Sequence, residues 1–450
     1  MSNLGKDTSE GISARVNRRV LIVTDDVDGS LALVDHLRTL SMDVSLTGYD
    51  GTGEMELPDR APSAVLCFLS DFVEHGPEIV ARIRAAYPHR SPTIVGRLMR
   101  EAPGDHPYDS VLYEPVHAVQ VAYRIASLIR LGQIEREIIR RRETMRESFG
   151  MDLDLPDTPL RQPFRVLFIG KADPAYMAVV NALQDKNVDV VAAFTSFSAF
   201  DYLHESDFDA VVMNALEGSE PAMTIAETMR RNPRLFHVPT LLLVRKTVFR
   251  DADVAYSHGV KDLIDASAPP EELSGRILEL ANDCRLHKRL KTEFSNLGGV
   301  TCSDPETGAL NTAFLNAHLK RVAQDCRNRQ LPLSVLTIKL VPKLRATLAA
   351  DGLSKAFAQS IRNIASIVRM QDIVGRVDAD TLIVAFPEEF RKDVARIAAR
   401  ITEMIETSTF PDAGDTADAL RMSVKTAILE QVEPVDDPAQ AETRTEPISA

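Results

Sequence analysis

Short, continuous apolar runs separated by helical spacing open the chain. Val20 to Val23, Ala64 to Leu69, Thr93 to Val95 and Val111-Leu112 are apolar on successive residues, without alternation. Strands buried on both faces of a parallel sheet read this way. Between the first two, Leu31, Val34 and Leu37 recur at helical spacing. The prediction is a doubly wound α/β domain. The layout then returns. Val20 matches Val166 and Ala64-Val65 matches Ala210-Val211 at an offset of 146, while Pro92-Thr93 matches Pro239-Thr240 at 147. Separate strands keeping one offset indicate an internal duplication.

Two helical connectors follow the two units. The first, Val119 to Met145, carries Ile125, Leu128, Ile129, Ile134 and Ile138 and is expected to dissolve at Arg140-Arg141-Arg142. Asp152 to Pro163, with three prolines, reads as a linker. The second connector, Glu271 to Phe294, places Leu273, Ile277, Leu280 and Cys284 near a 3.5-residue period. That is either a dimer seam or a helix packed on its own domain. After Gly298-Gly299 a third region shows a helix with Phe314, Leu315, Leu319 and Val322 on one face, capped by Asn311. A strand from Leu333 to Leu340, a helix from Phe357 to Val368 and a closing strand from Leu420 to Leu429 follow. Between the last two, Ile373 to Val377 and Leu382 to Phe386 flank the polar break Asp378-Ala379-Asp380-Thr381, the pattern of a hairpin. The expected domains are 18–150, 164–297 and 298–431, with a disordered tail over 432–450 that is rich in Pro, Glu, Asp and Thr.

Composition narrows the function classes. A formal net charge of −13 over 450 residues argues against a nucleic-acid polymer as partner, because phosphate backbones require clustered Lys and Arg. Cys67, Cys284, Cys302 and Cys326 form no Cys-x-x-Cys pair, which fits thiols in a reducing cytosol. No run reaches the ~18 apolar residues of a membrane span, so the expectation is a cytoplasmic protein without membrane insertion.

The two α/β units resemble receiver domains of response regulators, a flavodoxin-like fold. The resemblance implies an acidic pair for Mg²⁺ after the first strand, an Asp phosphoacceptor ending the third, and a Lys after the fifth. In the first unit the acidic pair is present as Asp25 and Asp26, the acceptor position falls on Phe68, and the Lys position on Glu114. Asp71 lies three residues beyond and would serve only if the strand end shifted. In the second unit the corresponding residues are Lys171-Ala172, Asn214 and Ala266. Asn cannot form an acyl phosphate, so the second unit reads as a dead adaptor and the first as a pseudo-receiver. Asp25 and Asp26 are either a residual Mg²⁺ site or two solvated carboxylates.

The third region resembles GGDEF domains, the diguanylate cyclase family, an α+β fold. Asp304-Pro-Glu-Thr307-Gly308-Ala-Leu310-Asn311 is similar to the family's opening Asp-x-Leu-Thr-Gly-Leu-x-Asn. Arg369, Asp372 and Arg376 fit its Arg-x-x-Asp and strand arginine, whereas Asp378-Ala379-Asp380-Thr381-Leu382 stands where Gly-Gly-Asp-Glu-Phe belongs. The resemblance places the family's metal-binding Asp at Lys339, a second Asp at Val341, and its guanine contacts near Thr347 and Ser354. Losing turn, metal ligand and base contacts together implies no cyclase activity, since such groups act as a unit. The intact half implies a cyclic di-GMP site at Arg369 and Asp372, completed by Arg396 and Arg400 one helical turn apart. An arginine offers a planar fork to guanine or phosphate and a carboxylate accepts from guanine N–H groups. Receiver, receiver, GGDEF is the order of PleD-type regulators, and a broken turn beside an intact Arg-x-x-Asp resembles the PopA group of cyclic di-GMP effectors. What that implies is a regulatory ligand rather than a cofactor, a homodimer through the receiver domains, and recruitment of protein adaptors or protease substrates. It also implies a role in cell-cycle control at a cell pole. A nucleotide-independent dimeric scaffold and a residual cyclase are the alternatives.

Overall fold

The computed structural model describes residues 19–40, 42–51, 55–88, 91–98, 106–152, 162–245, 252–297, 299, 302–342, 350–409 and 421–431, and every count or absence refers to these. The chain divides into two compact units. One holds Arg18–Gly132 and Pro156–Lys291, the other Gln133–Leu155 and Thr292–Ala450. The segments 1–17, most of the 152–163 linker and the tail beyond Gln431 lie outside the described residues.

The first unit contains two parallel sheets. Its first half runs β1 (Arg19–Thr24), α1 (Val27–Thr39), β2 (Asp43–Gly48), β3 (Ala64–Phe68), α2 (Phe72–Ala86), β4 (Thr93–Leu98), β5 (Ser110–Tyr113) and α3 (Ala118–Phe149). Its sheet has the order β2-β1-β3-β4-β5. The second half runs β6 (Phe164–Ile169), α4 (Pro174–Leu183), β7 (Val188–Ala193), α5 (Ser196–Glu205), β8 (Ala210–Asn214), α6 (Glu220–Arg231), β9 (Thr240–Val244), α7 (Ala252–Ser257), β10 (Asp262–Asp265) and α8 (Pro270–Asn296). Its order, β10-β9-β8-β6-β7, is the same topology. Both are flavodoxin-like receiver folds with the switch point at the first strand. β3 is buried at all five positions, as a strand covered on both faces must be.

Register corrects one detail of the repeat. Leu66 pairs with Val95 and Val212 with Leu241, so the fourth strands keep the offset of 146 shown by the first and third. The Pro-Thr match at 147 is displaced by one residue from the structural equivalence.

The two receivers share one unit through α3 and α8. Arg124 on α3 pairs with Glu279 at 2.7 Å and with Asp283, and its Nε donates to Ser110 Oγ at 2.8 Å. Gln120 donates to Asp262 at 2.7 Å, and Arg276 pairs with Asp262 while donating to the Glu114 carbonyl. Leu273, Ile277 and Leu280 pack into the core of the second receiver and Cys284 joins its other hydrophobic cluster. Of the two readings of the 3.5-residue period, the helix on its own domain is the one observed, because that stripe is buried there. The first connector is also corrected. α3 continues through Arg140–Arg142 to Phe149, since a buried carboxylate (below) lies beside Arg140 and Arg141.

The second unit holds α3 from Gln133 onward and an α+β domain: α9 (Thr312–Asn328), β11 (Leu333–Pro342), α10 (Ala350–Ile367), β12 (Ile373–Arg376), β13 (Thr381–Pro387), α11 (Arg391–Thr407) and β14 (Met422–Gln431). The sheet, β12-β13-β11-β14, is antiparallel throughout. Leu336, Ile338, Leu340, Leu382, Val384 and Phe386 alternate inward against Phe357, Ile361, Ile364, Ile397 and Ile401 of α10 and α11. Gly375 is needed where it is: a Cβ there would stand 2.4 Å from Leu315 Cδ1, so α9 seats on β12 only over a bare backbone.

Candidate functional site

The hairpin joins β12 to β13 through Val377–Asp380, closed by the Val377 amide donating to the Thr381 carbonyl at 3.0 Å. Arg376 is tied down on three sides. It pairs with Asp304 at 3.2 Å and Glu306 at 3.5 Å, and its Nε donates to the Asp378 carbonyl. Asp304 also accepts from the Thr307 amide and hydroxyl, both at 2.8 Å. Gly308, at φ +74, allows the chain to turn back so that Leu310 bridges Gly375. The opening motif and the hairpin are therefore one assembly.

Lys339 and Val341 lie on β11 on the face away from the core, and Lys339 approaches Asp380 at 3.6 Å. A divalent cation would need converging oxygen ligands at this place. The chain supplies an ammonium and an isopropyl group instead, so the donor set does not fit Mg²⁺. Asp378 is held below the usual carboxylate range: slight burial acts against this, and hydrogen bonds from Asp380 and Thr381 overcome it. Thr347 lies outside the described residues, and Ser354 sits in the first turns of α10.

Arg369 and Asp372 form the turn between α10 and β12. The Arg369 amide donates to Asp372 Oδ2 at 2.7 Å, and the Asp372 amide returns a bond to the Arg369 carbonyl. Asp372 is buried, and the Arg369 guanidinium pairs with Glu389 Oε1 at 3.2 Å. Arg396 and Arg400 are exposed on α11, opposite its buried Val394, Ile397 and Ile401. They lie about 7 and 13 Å along the axis from the start of that helix, which begins two residues after Glu389. The structure thus brings Arg369 and Asp372 together at the turn, while Arg396 and Arg400 stand exposed on α11, with Arg396 leaning on Asp393 at 4.0 Å.

Behind this turn is a buried polar network that sequence reasoning missed. Glu388 receives two bonds from Arg136, at 2.9 and 3.0 Å, and one from Gln133 at 3.3 Å. Gln371, inside the Arg-x-x-Asp, donates to Gln133 at 3.2 Å. Burial would raise the Glu388 pKa, but Arg136 and then Arg140 outweigh it and hold it below its usual value. A turn further along α3, the fully buried Glu137 accepts from His318 at 2.9 Å and Arg141 at 2.8 Å. Burial alone would raise Glu137; His318, Arg141 and Arg140 bring it down to about 2. The signal available in sequence was the pair Glu388-Glu389 following directly on a buried strand.

In the first receiver Phe68 ends β3, and Arg97 of β4 lies over its ring at 5.1 Å while pairing with Glu114 at 3.1 Å. Asp25 accepts from the Ser70 amide at 2.6 Å, and Asp26 caps α1. Asp71 is the N-cap of α2, accepting from the Glu74 amide, and so stands beyond the strand end. In the second receiver Asn214 ends β8 and donates to Asp173 Oδ2 at 2.7 Å. Asp173 went unnoticed as a carboxylate of this site, because Asp-Pro before a helix reads as an N-cap followed by a first-turn proline, which it also is. Lys171 pairs with Glu217.

The fold is therefore two flavodoxin-like receiver folds followed by a GGDEF-like α+β domain. Residues 301–445 match the family described as "Diguanylate cyclase, GGDEF domain". Among curated proteins the response regulator PleD of Caulobacter vibrioides (strain NA1000 / CB15N) is 24% identical over 204 residues, 45% of each chain. The match therefore spans less than half the length of that relative. Among solved structures, the GGDEF domain of DgcB from Caulobacter crescentus in complex with c-di-GMP is 13% identical, covering 30% of this chain and 78% of that one with a TM-score of 0.26. The chemotaxis response regulator CheY4 of Vibrio cholerae is 17% identical, covering 26% and 98% with a TM-score of 0.25. Among the described residues no helix is long and apolar enough to cross a membrane.

Proposed function

We propose that the protein is a catalytically inactive GGDEF response regulator. In this reading it is a receptor for cyclic di-GMP that recruits partner proteins, as in the PopA group, with cell-cycle control and localised proteolysis at a cell pole as its setting. The observation that carries the inactive half is the Lys339–Asp380 pair, an ammonium beside a turn carboxylate where a cyclase needs a metal. The receptor half rests on Arg369 and Asp372, adjacent in space at the turn, with Arg396 and Arg400 as further cations on α11. One observation favours a second reading, a nucleotide-independent scaffold: Arg369 and Asp372 already have partners in Glu389 and the Arg369 amide.

Calorimetric titration with cyclic di-GMP separates the two. Removing one member of a charged, bidentate contact typically costs ~2–5 kcal/mol, so Arg369→Ala should weaken binding at least thirty-fold. Asp380→Ala, at the broken turn, should leave affinity nearly unchanged. Absence of heat from the wild type at high micromolar ligand selects the scaffold. Incorporation of labelled GTP into a cyclic dinucleotide above a no-protein control would end the claim of inactivity.

A further inference from the structure

Glu388 and Glu389 are consecutive, both buried, and turned to different partners. Glu389 takes Arg369 of the Arg-x-x-Asp turn at 3.2 Å; Glu388 takes Arg136 of α3 through two bonds. Gln371 reaches α3 as well, through Gln133, which itself donates to Glu388. Glu388 has φ +69, a conformation that a residue with a Cβ adopts only when its surroundings hold it there. Three contacts hold it: its amide donates to the Pro332 carbonyl at 2.7 Å, its carboxylate is gripped by Arg136, and Ser334 donates to the Glu389 carbonyl at 2.9 Å.

We propose that Glu388-Glu389 is a clasp that sets the affinity of the Arg369 site and couples it to the Gln133–Phe149 segment of α3. The inference rests on the receptor reading for its ligand, an anionic cyclic dinucleotide. A phosphate or guanine acceptor that approaches the Nη1 edge of Arg369 competes with the Glu389 carboxylate, which already accepts there at 3.2 Å. Glu389 is thus a built-in competitor. Its withdrawal pulls on Glu388 through one peptide bond, and a residue already strained at positive φ is the one most ready to change. Glu388 then loosens its hold on Arg136 and Gln133, and the α3 segment loses buried partners. The coupling is reciprocal: weakening the grip of α3 on Glu388 should make Arg369 easier to occupy.

Two measurements on the 450-residue chain test this. In calorimetry with cyclic di-GMP, Glu389→Gln should bind on the order of tenfold tighter than wild type. Arg136→Gln, remote from the ligand on α3, should shift affinity in the same direction by a smaller factor. Equal or weaker binding by both variants overturns the clasp. The second measurement needs no ligand: amide hydrogen exchange over residues 133–149 should quicken in Arg369→Ala, which leaves Glu389 without that guanidinium. Unchanged exchange there overturns the clasp whatever the calorimetry shows. If no variant binds cyclic di-GMP but Arg369→Ala quickens that exchange, the receptor reading fails and the clasp stands as an intramolecular link. Thermal unfolding of Glu389→Gln and Arg136→Gln checks that both fold.

Discussion

At the residue scale, the groups that define this protein are charges placed where charges are costly. Glu137 and His318 are fully buried and answer each other at 2.9 Å, with Thr144 on the other ring nitrogen at 3.0 Å. Deleting His318 removes one hydrogen bond from the buried Glu137 carboxylate while Arg141 still holds it, so His318→Ala should destabilise by about 1–3 kcal/mol in chemical denaturation. Glu137 also sets a pH dependence. Its folded pKa, about 2, lies below the ordinary value of 4.5, so its contribution is complete above pH 4.5 and is lost as pH falls toward 2. The size is on the order of 3 kcal/mol at one pKa unit per 1.36 kcal/mol. Glu137→Gln should flatten the stability profile in that acidic window and change it little above it; a variant with the wild-type slope would remove Glu137 as the source. Periodicity alone could not find His318. A helix face read by hydrophobicity puts Leu319 inward with Phe314 and Val322, whereas the structure seats His318 at the centre of that face because Glu137 is there to receive it.

At the element scale, α3 and α8 do more than connect. Each packs its apolar stripe into its own surroundings, and the polar residues between the stripes, Arg124, Glu279 and Asp283, join the two receivers within one unit. Ile277, with no exposed surface, should cost about 2–5 kcal/mol as Ile277→Ala, with no change in oligomeric state by light scattering. A shift in oligomeric state would restore the seam reading. The elements themselves were legible: apolar runs gave the parallel strands, and the Asp378–Thr381 break between two β-rich runs gave the hairpin. The length of α3 was not. Three consecutive arginines read as the end of an amphipathic helix, and only Glu137 beside them and Asp325 across from Arg140 explain why the helix continues.

At the scale of the whole molecule, the proposed reading takes Phe68, Asn214 and Lys339 as replacements of reactive groups in the two receiver folds and the GGDEF-like domain. Phosphodonors such as acetyl phosphate should leave the second receiver unlabelled, because Asn214 ends its third strand and spends its amide on Asp173. The first should likewise stay unlabelled, with Phe68 under Arg97 at the acceptor position and Asp71 engaged as a helix cap. An acid-labile phosphate on residues 1–291 would contradict this, and Asp71→Asn would then show whether Asp71 carries it. Sequence by itself determined the architecture of this protein. Hydrophobic periodicity is a local property, an internal duplication is visible as an offset, and the positions of Lys339, Phe68 and Asn214 follow once the strands are counted. Tertiary structure alone decided who neutralises whom. Glu389 lies twenty residues from Arg369, Arg136 lies some 250 from Glu388, and Lys339 meets Asp380 across two strands. An ion pair in a low-dielectric interior depends on distances of a few ångströms between side chains. Nothing in the local pattern around either partner records which distant residue will arrive there.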